Sequence, residues 1–310
     1  MLRRIDIKIA DNWEEPLLGL AESLGLMSFS SPCLIPLASG GEEEIAFSGE
    51  TVVSILFSTV EQDAPGINRK IRSWLRREKL KDVKLAVVDY PDQQDWMEGF
   101  RQYFQPIRTG RGILVCPPWS VPDSASGFSP DEPAMIRILI DPGMAFGTGT
   151  HETTRLCLQL LEDLPLEKGR FLDLGAGSGI LAFYIAKRGA SAVVAVEKEG
   201  PAVENLRKNA ALNDISEGFE IICGDLADFN PPFSANGLVA NLTSPILLEN
   251  MSRFVGWIGK KGWAVFSGVN STNAPSVREA FSMSGFELKK ELVDGEWHGF
   301  LAQKKKSPEP

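Results

Sequence analysis

Histidine and cysteine are scarce in this chain, with two of the former and four of the latter among 310 residues. His151 and His298 are too few for a multi-histidine metal centre, and "HETTR" at 151–155 lacks the second histidine of a zinc-protease helix. No metal site is expected. Cys33, Cys116, Cys157 and Cys223 stand far apart, without the close pair that metal or redox motifs use, so reduced thiols are expected. No apolar run reaches the roughly 18 to 20 residues that cross a bilayer, so no membrane partner is expected. The opening "MLRRIDIKIA" has no apolar run or cleavage site behind its arginines, which argues against secretion and for a cytoplasmic protein. Positive charge is also short, with 32 Lys and Arg against 41 Asp and Glu. The net charge of −9 opposes stable binding to nucleic acid, whose affinity grows with the number of phosphates neutralised. One basic stretch, "RKIRSWLRREKLKDVK" at 69–84, is interrupted by Glu78 and Asp82 and reads as a solvated helix face.

A hydrophobic content of 43% and a length beyond one compact core point to a globular chain of two domains. Ile5, Ile7 and Ile9 alternate with charge as in a half-buried strand, and residues 13–24 carry helical spacing. Strand-like pieces follow near 33–37, 44–47 and 52–57, then a helix placing Ile67, Ile71, Trp74 and Leu75 on one face, and a closing strand at 83–90. This order predicts a small α+β domain of ferredoxin-like type over 1–90. Residues 91–133 read as a linker: a helix with Trp96, Phe100, Tyr103 and Phe104 on one face, ended by Pro106, and an exposed loop rich in Pro, Ser and Asp. From 134 to 303 strands and helices alternate, the pattern of a Rossmann-like parallel sheet. The tail "KKKSPEP", 304–310, has little to bury and reads as disordered.

The chemistry concentrates at "FLDLGAGSGIL", 171–181, a strand, a glycine turn and a helix start. Gly175, Gly177 and Gly179 allow a ligand to lie directly on the main chain. The dinucleotide fingerprint requires a glycine where this chain has Ile180, which weakens a nicotinamide reading. Asp173, just before the turn, would repel a pyrophosphate but suits an ammonium group. S-adenosylmethionine carries an ammonium, a ribose diol and no phosphate. Glu197, ending the second strand about 20 residues on, is placed for the ribose hydroxyls. Asp225, ending the third strand, is placed for the adenine edge.

Taken with "DPGMAFGTGTHETT" at 141–154 and "ANLTSPI" at 240–246, this turn makes the chain resemble the PrmA family, the methyltransferases acting on the eleventh protein of the large ribosomal subunit. "DWMEGFRQYFQPIRTG" at 95–110 is similar to the family's linker. The resemblance implies a class I Rossmann-like, S-adenosylmethionine-dependent methyltransferase domain behind a small α+β domain that grasps the substrate. It implies methylation of lysine and N-terminal amines on that ribosomal protein, with Thr154, Gly175, Glu197 and Asn241 contacting the cofactor. Gly147 and Gly149 would let the upstream loop fold over a ligand, with Thr153 and Thr154 in the first turn of the next helix. Asn241, at the end of a fourth strand, is expected to position the acceptor amine, and His151 is a candidate proton acceptor. The family usually has Asp at the Glu197 position and Asn-Ile-Leu where this chain has Asn241, Leu242 and Thr243. Those departures leave open another protein or an RNA as substrate, and a non-catalytic S-adenosylmethionine-binding protein is the further alternative.

Overall fold

The computed structural model describes residues 2–24, 26–36, 45–58, 62–80, 83–90, 105–120, 135–141, 149 and 151–305. The chain forms two compact units, Met1–Tyr103 and Phe104–Pro310. The predicted linker helix and most of the predicted exposed loop lie outside the described residues. No helix among those described is long and apolar enough to cross a membrane.

The first unit runs β1 (Leu2–Ala10), α1 (Glu14–Ser23), β2 (Met27–Pro36), β3 (Ile45–Ser58), α2 (Ala64–Arg77) and β4 (Lys84–Tyr90). Its strands form one antiparallel sheet in the order β2-β3-β1-β4, the split βαβ arrangement. Strand alternation puts Ile5, Ile7 and Ile9 on one face, where they are buried with Leu17 and Ala21 of α1 and Ile67, Ile71, Trp74 and Leu75 of α2. Asp63 caps α2 by accepting from the Gly66 amide at 3.1 Å. The opposite side of α2 exposes Arg69, Lys70, Arg72, Arg76 and Arg77.

The second unit contains β5 (Ile107–Thr109), β6 (Ile113–Cys116), β7 (Ile136–Leu139), α3 (Glu152–Glu162), β8 (Arg170–Leu174), α4 (Ile180–Lys187) and β9 (Ala192–Glu197). It continues with α5 (Gly200–Leu212), β10 (Phe219–Cys223), β11 (Ala235–Asn241), α6 (Ser244–Trp257), β12 (Ile258–Asn270), α7 (Ala274–Ser284), β13 (Phe286–Asp294) and β14 (Trp297–Lys304). Seven strands order as β10-β9-β8-β11-β12-β14-β13; the first five and β13 run in one direction, and β14, inserted between β12 and β13, runs antiparallel to both. Helices α3, α4 and α5 bury their apolar sides on one face of this sheet, and α6 and α7 cover the other. Order reverses between β8 and β11, so a crevice opens at their carboxyl ends, where ligands of open α/β sheets bind.

Two boundaries differ from the sequence reading. The supposed linker supplies β5 and β6, and β6 pairs in parallel with β7; the buried run Ile113–Cys116 is long enough for a short strand. Lys304, read as the first tail residue, ends β14, and its Nζ donates to the Val255 and Ile258 carbonyls at 2.8 and 2.7 Å, around the end of α6; residues 306–310 lie outside the described residues.

A buried asparagine ladder on α5 holds the segment entering the site. Asn213 Oδ1 accepts from the Leu139 amide and Asn209 Oδ1 from the Asp141 amide, each at 2.9 Å. Asn205 donates to the Asp141 carbonyl at 3.2 Å, and Asn209 donates to the Ser178 carbonyl in the glycine turn at 3.0 Å. Spacing of four residues stacks these amides on one helix face.

Candidate active site

The glycine turn closes over the end of β8. Gly175, Gly177 and Gly179 all have positive φ, at 71°, 53° and 89°. The bend favours glycine, and a Cβ on Gly175 would also lie 2.3 Å from Cδ2 of Leu242, whose side-chain tip would have to move aside. Gly179 starts α4 without a capping side chain, and Asp173 substitutes for one: its Oδ2 accepts from the Ala182 amide at 2.9 Å. Asp173 is 1% exposed, and its Oδ1 has no hydrogen-bond partner among the described residues. Burial drives its pKa up to about 7; the Ala182 amide opposes that shift and the charge of Glu197 adds to it.

Glu197 ends β9 and braces the turn. Its Oε2 accepts from the Gly177 amide at 2.9 Å, while Oε1 accepts from the amides of Lys198 and Glu199 at 2.7 and 2.9 Å. These amides fix the carboxylate at the end of β9, the position expected to face the ribose hydroxyls. Asp225 lies two residues past β10, exposed, with Oδ1 accepting from the Ala227 amide at 2.9 Å and Oδ2 paired to Lys198 at 2.9 Å. The amide bond and the Lys198 pairing hold its carboxyl below the ordinary range.

Helix α3 begins beside the end of β11. His151 is its N-cap, with Nδ1 accepting from the Thr153 amide at 3.3 Å and lying 2.8 Å from Thr153 Oγ1; its ring stands edge-on to Trp297. Burial lowers the His151 pKa, with Glu152 opposing and Arg155 assisting. Because Nδ1 serves the cap, the neutral ring carries its proton on Nε2, a donor rather than a base. His151, the candidate proton acceptor, thus caps α3 through Nδ1. Asn241, ending β11, donates from Nδ2 to Thr153 Oγ1 at 3.1 Å. Thr154 is 1% exposed, and its Oγ1 has no hydrogen-bond partner among the described residues. Gly147 lies outside the described residues. Gly149, buried with φ 93°, packs near Val115 and Ile180.

The structure thus gathers Asp173, the three glycines and Glu197 around one turn, with Gly177 bonded to Glu197 and Asp173 to Ala182, and joins Asn241 to the α3 start. Two buried, unsatisfied acceptors, Asp173 Oδ1 and Thr154 Oγ1, fit a ligand that offers an ammonium and other donors but no phosphate. Sequence reasoning missed Leu242 as the residue against Gly175. Its main chain also closes on Gly268, where a Cβ would lie 2.3 Å from the Leu242 carbonyl oxygen.

This strand order and acid-flanked glycine turn define a class I α/β methyltransferase, which uses S-adenosylmethionine. A family model described as ribosomal protein L11 methyltransferase (PrmA) matches residues 35–305. The chain is 32% identical over 289 residues to a ribosomal protein L11 methyltransferase of Pelobacter propionicus, covering 90% of each. It is 38% identical to that of Geobacter metallireducens over 211 residues, covering 68% of this chain and 67% of the relative. The crystal structure of a ribosomal protein L11 methylase from Lactobacillus delbrueckii aligns with a TM-score of 0.58 at 27% identity, covering 66% of this chain and all of that one. The chain belongs to the ribosomal protein L11 methyltransferase (PrmA) family.

Proposed function

We propose that this chain transfers methyl groups from S-adenosylmethionine to lysine and N-terminal amines of ribosomal protein L11. The observation that carries the reading is the buried, half-satisfied Asp173 carboxyl beneath the glycine turn, in a chain whose relatives are named ribosomal protein L11 methyltransferases. When bound, S-adenosylmethionine supplies a methyl carbon made electrophilic by its sulfonium.

The chain's own residues hold and aim the reactants. Asp173 Oδ1 receives the ammonium, Thr154 Oγ1 a further polar atom, Glu197 a ribose hydroxyl and Asp225 the adenine edge, while Gly175, Gly177 and Gly179 keep the main chain low enough for contact. Asn241 accepts an N–H of the incoming amine, so that its lone pair faces the methyl carbon. A lysine amine, with reference pKa near 10.4, must first lose a proton. Desolvation in an enclosed site beside a positive charge favours the neutral amine, so no dedicated base is required. The acceleration then comes from alignment.

We assign substrate recognition to the first unit, residues 1–90 in the sequence reading, and the chemistry to the unit carrying β8. A cytoplasmic location follows from a ribosomal-protein substrate. Mass spectrometry of L11 after incubation with the protein and S-adenosylmethionine tests the reading: whole-methyl mass gains on its amines are expected, and unmodified L11 from an enzyme that binds the cofactor overturns it.

A further inference from the structure

Three polar groups from two elements form one hydrogen-bonded chain at the start of α3: Asn241 Nδ2 to Thr153 Oγ1 at 3.1 Å, and Thr153 Oγ1 to His151 Nδ1 at 2.8 Å. Heavy atoms alone leave its polarity open, because the hydroxyl rotates, the imidazole has two tautomers and the carboxamide can flip. One neighbour has no such freedom. The main-chain N–H of Thr153 only donates, and it reaches His151 Nδ1 at 3.3 Å. Nδ1 is then an acceptor, so the Thr153 hydroxyl, which also faces it, donates to it. The hydroxyl oxygen is left to accept, and the Asn241 atom facing it is the NH2 group. Its Oδ1 therefore turns away from α3, and it makes no hydrogen bond among the described residues.

We infer that Thr153 is a positioning residue that holds the Asn241 carboxamide with Oδ1, rather than NH2, toward the acceptor amine. The orientation matters because Oδ1 accepts an N–H and leaves the amine lone pair free. A flipped carboxamide would donate into the lone pair that must attack. Thr153 is 1% exposed, which keeps water from replacing the hydroxyl's partners. Protonating the ring would put a hydrogen on Nδ1 and reverse the chain; burial, with Arg155 assisting and Glu152 opposing, keeps the ring neutral. Arg155 is in turn paired with Asp294 at 2.7 Å, and the Trp297 ring meets the imidazole edge-on at 5.1 Å between centroids.

The inference rests on the proposed transfer to L11, and two readouts separate the two. In the full-length protein, Thr153→Val keeps the shape and removes the hydroxyl, while Thr153→Ser keeps the hydroxyl. Expected results are unchanged S-adenosylhomocysteine affinity in both, a kcat on L11 reduced roughly ten- to a hundredfold with little change in KM for Thr153→Val, and recovery in Thr153→Ser. A Thr153→Val enzyme with wild-type kcat, or one whose cofactor affinity falls in step with its rate, overturns the positioning role. Nitrogen-15 spectra of the histidine rings provide the second readout: His151 should carry its proton on Nε2, and a proton on Nδ1 overturns the chain's polarity. Wild-type protein that shows the expected tautomer, and the Asn241 side-chain amide signal displaced by Thr153→Val, but leaves L11 unmodified sinks the substrate reading and upholds the orientation.

Discussion

Asp173 couples ligand binding to protons. Its folded pKa of about 7 lies above the ordinary 3.8, so the folded protein holds the proton more tightly than the unfolded chain. That contribution to stability is full below about pH 4 and is lost as pH rises through 7. The melting temperature of the free protein should fall across this window, and less so in Asp173→Asn. Ligand binding has the opposite sense, because an ammonium needs the ionised carboxylate. Calorimetry should show S-adenosylhomocysteine affinity rising by up to about tenfold per pH unit below 7 and levelling above it, with a flat profile in Asp173→Asn. Gly175→Ala combines a positive φ, costing about 1 to 2 kcal/mol, with the collision on Leu242. Its denaturation midpoint should drop and cofactor binding should be lost. Asp173 and the glycines were legible in the sequence because a strand, a turn and a helix start are local. The Leu242 contact and the three amides on Glu197 were not, since the former depends on two strands meeting and the latter on how a longer acid folds back.

Among elements, α5 shows how a helix can serve as an edge for a strand. The amides of Asn209 and Asn213 supply to Asp141 and Leu139 the donor and acceptor pairs that a neighbouring strand would supply. Asn209→Leu would leave the Asp141 N–H and the Ser178 carbonyl without these partners, at about 1 to 3 kcal/mol for each buried group. Chemical denaturation should register that loss, and S-adenosylhomocysteine should bind more weakly because the turn carrying Ser178 loosens. The i, i+4, i+8 asparagines of "ENLRKNAALN" were visible but uninformative in the sequence, where polar residues at that spacing look like a solvated face. A comparable helical stripe on α2, Arg69, Arg72 and Arg76 at i, i+3 and i+7, is exposed. Burial of one stripe and exposure of the other follows from where each helix docks.

For the molecule as a whole, each unit has its own apolar core, so each has the means to fold alone. A fragment spanning 104–310 should bind S-adenosylhomocysteine with unchanged affinity and methylate L11 with a raised KM, as calorimetry and steady-state kinetics would show. The two-part layout and the parallel sheet were readable from periodicity, whereas strands as short as β5 and β6 carry too few residues to display one. Leu242, pressed by its side chain on Gly175 and by its main chain on Gly268, makes sequence drift in this region lopsided. A shorter residue at 242 would clear space for a methyl group at 175, though the bend there would stay strained. No replacement at 242 relieves 268, because the obstacle is a carbonyl that every amino acid shares. Variation at 242 and 175 should therefore be correlated among descendants of this chain, while 268 stays glycine.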